Sequence, residues 1–279
     1  MKAEKRTFFV ILAISLTIIV SSFLIMPLFV HLFFPDDSAD PIVLMITQFL
    51  GNIIPVLLIL YFFGKKSGSK YDVYALENIL ASDEINWKGI LLYSLYGIIA
   101  FFFVKLTTIF IENLFISLGL LETPVKTIYY FKFGHFALLI IAYAIIPAIY
   151  EEFLYRGIYY NSGFNCFTTY LLAVVPFALM HFPLVNIISA FIIGSIFFSI
   201  REKKKGIIYL IIAHFVYNLA SIIFANYLVL PIEPAYLASK LLVSKEYLIY
   251  ALISLALALV FLVIIILLSK SKGKQKKRI

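Results

Sequence analysis

The sequence predicts an all-α fold, a polytopic membrane bundle of about eight transmembrane helices, and three observations carry that prediction. Of 279 residues, 63% are hydrophobic and only 14% charged, with a mean hydropathy of +1.03, whereas soluble domains carry roughly a quarter charged residues. The apolar runs are continuous instead of alternating at period two, so a membrane barrel is excluded and each span must satisfy its own backbone as a helix. At about 20 apolar residues per span, the runs at 8–34, 42–63, 89–118, 135–160, 167–183, 185–200, 207–228 and 246–268 give eight spans.

In chain order, the first run follows Lys2, Lys5 and Arg6. It is longer than the roughly 7–15 apolar residues of a cleaved signal peptide and lacks a clear small-residue cleavage site, so it is expected to stay in the mature protein. The second run leads into the most polar internal stretch, 64–88, which ends in an interfacial group, Asn86-Trp87-Lys88. The third run carries Lys105, which could snorkel outward, counter a carboxylate or contact substrate. In the fourth, Pro147 lies one turn before Glu151 and is expected to kink the helix and open space beside it. Asn161-Ser162-Gly163-Phe164-Asn165 should then reverse the chain. The fifth and sixth runs are short and broken by Pro183, as in a hairpin that stops short of the far surface.

Basic residues orient the bundle. The amino terminus, the 64–88 segment, Arg201-Glu202-Lys203-Lys204-Lys205 and the tail Lys270 to Arg278 fall on one side, and Asp36-Asp37-Ser38-Ala39-Asp40 falls on the other. The positive-inside rule places both termini in the cytoplasm and fits a prokaryotic plasma membrane. The net charge of +8 sits at span ends, where it sets topology and touches headgroups, so no nucleic-acid role is read from it. A lone cysteine, Cys166, excludes an internal disulfide and a cysteine-rich metal site. Neither a repeat nor a long linker divides the chain, which reads as a single membrane domain over 1–279.

Against this apolar background, Glu151-Glu152-Phe153-Leu154-Tyr155-Arg156 needs a reason. A carboxylate at membrane depth costs about 2.5–3.5 kcal/mol on insertion scales, which makes an intramembrane pair a functional-site candidate. Glu152 and Arg156, at i and i+4, can pair along one face, while Glu151 lies about 100° round the helix and is left as the reactive group. An antiparallel neighbour brings His181, four residues after Phe177, to comparable depth. The seventh run carries His214 and Asn218, again at i and i+4, and the Asn218 amide could donate to an oxyanion. His31 and His135 fall near span ends and read as interfacial.

This set suits hydrolysis, with a glutamate as general base on water. Other hydrolase designs lack their residues: there is no His-Glu-x-x-His, no Gly-x-Ser-x-Gly and no Gly-x-Gly-Asp, and Cys166 has no histidine near it in sequence. Two histidines could orient the water or ligate a metal. A different reading makes the polar cluster a packing device in a non-catalytic bacteriocin immunity or membrane interaction protein. A third, a small-solute or ion transporter, is weakened by the absence of an inverted repeat.

Glu151-Glu152-x-x-x-Arg156, Phe177-x-x-x-His181 and His214-x-x-x-Asn218, in this order on successive apolar segments, resemble the three motifs of the CAAX protease and bacteriocin-processing (CPBP, or Abi) family. The resemblance covers roughly residues 135–225. It implies an intramembrane endopeptidase, a glutamate protease or metalloprotease, with a cavity open to the cytoplasm and a peptide or membrane-protein substrate. Position by position, it implies that Glu151 activates water, His181 helps hold it, and His214 and Asn218 form the oxyanion site. Glu152 and Arg156 match the remaining, supporting positions. Glu151, His181 and His214 could also make a His₂Glu zinc set; no compact ligand motif compels it, and the metal stays open.

Overall fold

A computed structural model describes residues 3–33, 41–64, 85–121, 136–160, 164–181, 183–202, 207–227, 230, 233 and 244–271. These form eight helices and, among the described residues, no strand. Helix α1 covers 3–33, α2 covers 41–64, α3 is Trp87–Ser117, α4 is Phe136–Ile158, α5 is Cys166–Leu179, α6 is Leu184–Arg201, α7 is Ile208–Tyr227 and α8 is Ser244–Ser271. Six are long and apolar enough to cross a membrane; Met45–Ile59 within α2 and Cys166–Leu179 are shorter apolar helices. The polytopic helical bundle is therefore what the chain forms.

The expected hairpin is α5 and α6, but only α5 is short: α6, at 18 residues, is among the helices long enough to cross. At 14 residues, α5 spans about 21 Å, less than the roughly 30 Å hydrocarbon layer. Asn165 starts it, its side chain accepting from the Thr168 amide at 2.9 Å, an ordinary N-cap. The chain reverses at Met180 and His181, and Pro183 precedes the first turn of α6. Asn86 caps α3 in the same way, accepting from Gly89 N at 2.8 Å. Most of the 64–88 loop, the acidic 36–40 loop and residues 161–163 of the expected chain reversal lie outside the described residues.

Helix α3 packs along both α7 and α8, α5 pairs with α6, and α7 lies against α4. Gly97 permits the α3–α7 approach, since a Cβ there would run into the Ala213 carbonyl. The core joins Ile11, Ile14 and Ile18 of α1 to Leu154, Tyr155 and Tyr159 at the end of α4 and to Phe177 and Phe197 of the hairpin. Buried tyrosines also supply interhelical polar ties: the Tyr159 hydroxyl lies 2.7 Å from Ser15 Oγ and donates to the Ile11 carbonyl at 3.3 Å. Along α8 the opposite holds, with Leu252, Leu259, Val260 and Val263 exposed, as a lipid-facing surface requires.

Helix α4 departs from regular α geometry on both sides of Pro147. The helix is π-helical over Ile140–Ile145, α-helical over Ile146–Glu151 with Pro147 in its first turn, and π-helical again over Glu152–Ile158. Two wide stretches therefore bracket the turn that carries Glu151, and Glu152 opens the second of them. Single π-turns of this kind occur often at functional sites.

Candidate active site

Glu152 and Arg156 are fully buried. Arg156 Nη1 donates to Glu152 Oε1 at 3.0 Å, and Nη2 donates to the Gly194 carbonyl at 3.2 Å. The guanidinium lies over the Phe177 ring at 4.5 Å and near that of Phe197 at 5.8 Å. Gly194 gives room for this: a Cβ there would stand 3.0 Å from the Phe177 ring. The pair is one-pronged, with Glu152 Oε2 and Arg156 Nε lacking partners among the described residues. Arg201, also buried, donates from Nε to the Arg156 carbonyl at 2.9 Å and ties the end of α6 to this turn.

The Glu152 oxygen that receives Arg156 also receives His214. His214 Nδ1 lies 2.8 Å from Glu152 Oε1, and a carboxylate paired with arginine only accepts, so Nδ1 carries the proton and donates it. That bond fixes the tautomer and ring orientation, as a carboxylate does for a catalytic or metal-bound histidine. His214 Nε2 is thereby aimed at Glu151, whose Oε2 is 3.6 Å away, too long for a direct hydrogen bond. Glu151 alone of the two glutamates keeps some exposure, at 13% of its side chain.

His181 reaches the cluster through Phe177, whose ring lies 4.8 Å from that of His181 and 6.3 Å from that of His214. Its Nδ1 donates to the Phe177 carbonyl at 2.7 Å, leaving Nε2 as the available nitrogen. Asn218 is half-buried one turn beyond His214, and its side chain makes no hydrogen bond among the described residues. Thus Glu151, Glu152, Arg156 and His214 form one bonded or ion-paired group, His181 joins it by ring contact, and Asn218 stands beside it. His31 is exposed near the end of α1, and His135 lies outside the described residues.

As for a metal, no three His, Cys, Asp or Glu side chains among the described residues converge as a ligand set. Lys105 is a countercharge: its Nζ lies 3.2 Å from Glu233 Oε2. It also lines a cavity of about 250 Å³ with Thr108, Ser189, Tyr217 and Ser221. The Tyr217 ring, in the wall of that cavity, lies 6.5 Å from His214.

A second cavity, about 40 Å³, touches Glu151 and is lined also by Gln48, Asn52, Pro147, Tyr150 and Met180. Gln48 and Asn52 were not singled out in the sequence. Their signal is faint, two amides at i and i+4 in an apolar helix, where a polar pair more often joins helices.

These features define a class: a polytopic helical membrane protein in which two adjacent glutamates of a helix with π-helical stretches meet a histidine of a neighbouring helix. Residues 133–220, from the start of α4 into α7, match the family model described as Rce1-like, type II CAAX prenyl endopeptidase Rce1-like. That model is of the CPBP family of membrane peptidases, the family to which the three motifs point. No curated protein and no solved structure shows a significant match to the chain.

Proposed function

We propose that this protein is an intramembrane endopeptidase in which Glu151 activates water for attack on a peptide bond. The observation that carries the reading is the division of labour between the adjacent carboxylates. Glu152 is spent on Arg156 and His214, whereas Glu151 is left partly open beside a cavity. Glu151 takes a proton from water, and His214 Nε2 and the Asn218 amide face the developing oxyanion. An imidazole serves an oxyanion as a donor, so His214 acts in its protonated form, with Glu152 stabilising the charge.

The substrate is a peptide or membrane protein cleaved near the cytoplasmic face of a prokaryotic plasma membrane, both termini being cytoplasmic. The family description names prenylated CAAX substrates, so a quenched peptide bearing a farnesylated cysteine and three further residues is the first probe. It is assayed alongside comparison of peptides released from cells expressing wild type or Glu151→Gln. Loss of the general base should lower turnover by about 10²–10⁴-fold with the fold intact. Cleavage at the wild-type rate by folded Glu151→Gln would remove the mechanism, and a cellular phenotype shared by both would favour a non-catalytic binding role.

A further inference from the structure

The 40 Å³ cavity beside Glu151 is too small for a substrate residue and large enough for water, which needs roughly 10–15 Å³ of probe-occupied space and two to four polar partners. Gln48 Oε1 and the Tyr150 hydroxyl, on two residues that line it, are buried and have no hydrogen-bond partner among the described residues. Unpaired buried polar atoms are costly and rare, and an ordered water is the usual remedy. The backbone brings them there by similar devices. A π-turn, Phe49–Ile53, begins directly after Gln48, and another, Glu152–Ile158, directly after Glu151. Helix α2 also approaches α1 closely here, because Gly51 leaves space that Met26 and Ser21 fill. Gln48 is thus held against α4 by packing on its far side.

We propose that this cavity is the seat of the nucleophilic water and that Gln48 and Tyr150 position that water for Glu151. The inference rests on the peptidase reading and adds α2, which lies outside the family match, to the catalytic apparatus. The water donates one hydrogen to Glu151 and the other to Gln48 Oε1, and accepts from the Tyr150 hydroxyl. Its remaining lone pair is free to attack. As its oxygen bonds to the scissile carbonyl carbon, one proton passes to Glu151. Collapse of the tetrahedral adduct breaks the C–N bond, and Glu151 returns that proton to the departing amine. The products are a carboxylic acid, which retains the second water proton, and an amine.

The test uses full-length protein in nanodiscs and two readouts. Radiolytic footprinting in ¹⁸O-labelled water reports bound water without any substrate: Tyr150 and Met180 should be labelled in wild type, and Met180 labelling should be lost in Gln48→Leu. With the farnesylated peptide, or a substrate identified in cells, Gln48→Leu and Tyr150→Phe should each lower kcat by about ten- to hundred-fold, the worth of one hydrogen bond to a reacting group. KM should stay within about two-fold, since the water rather than the substrate is displaced. If Gln48→Leu fails to fold, Tyr150→Phe decides by the same criteria. Unlabelled Tyr150 and Met180 in wild type, or wild-type kcat in both variants while Glu151→Gln is inactive, would overturn the water seat alone. Full activity in Glu151→Gln would instead overturn the peptidase reading beneath it.

Discussion

Replacing Arg156 by methionine removes a guanidinium that is fully buried and holds Glu152 at 3.0 Å and the Gly194 carbonyl at 3.2 Å. Methionine approximates the volume, so cavity formation is a minor part of the effect. What remains is a buried Glu152 carboxylate whose countercharge is gone, and breaking one side of such a pair typically costs about 3–5 kcal/mol. Against a total stability of about 5–15 kcal/mol, that is a large fraction. Adding Glu152→Gln to Arg156→Met should restore about 2 kcal/mol or more, because the buried charge disappears with its partner and the amide oxygen still accepts from His214. Equilibrium unfolding in mixed micelles, for wild type, both single variants and the double variant, measures this as a coupling energy. If Arg156→Met lost less than about 0.5 kcal/mol, within the range of an ordinary surface change, or if the two substitutions simply added, the buried pair would not be the structural support assigned to it.

Three further outcomes follow from the packing and the site. Gly97→Ala would drive a Cβ into the Ala213 carbonyl, one residue before His214; overpacking there should cost about 1–3 kcal/mol and depress kcat by displacing α7, measured by unfolding and turnover together. Tyr159→Phe removes the hydroxyl that joins the end of α4 to Ser15 and Ile11 and should cost about 0.5–1.5 kcal/mol, with peptide cleavage little changed because no group near Glu151 moves. If Glu151 activates water without a metal, as proposed, treatment with a strong zinc chelator should leave turnover intact; loss of activity restored by stoichiometric zinc would show instead that Glu151, His181 and His214 bind metal.

Much of the bundle was written in the sequence because lipid imposes a one-dimensional rule. A run of about 20 apolar residues must be helical to satisfy its backbone, so counting runs anticipated all eight helices, and the brevity of the run after Asn165 foretold the short α5. The Glu152–Arg156 pair was legible for a similar reason, being a local spacing on one helix. Relations between helices were not. Whether Lys105 snorkels or pairs depends on where the chain beyond α7 returns, and Glu233 meets it only in three dimensions.

The same limit applies within the site. Sequence alone determined which residue types were available, and the order of Glu151, His181, His214 and Asn218 on successive segments resembled the family whose model matches residues 133–220. Tertiary structure decided their partners. Glu152 orients His214 as well as holding Arg156, Phe177 links the two histidines, and Gln48 comes to lie beside Glu151. The physical reason is rotational. An apolar pattern fixes that a segment is a helix, but here π-turns in α2 and α4 shift the faces of their helices, so the side chains that meet are settled by packing and not by spacing.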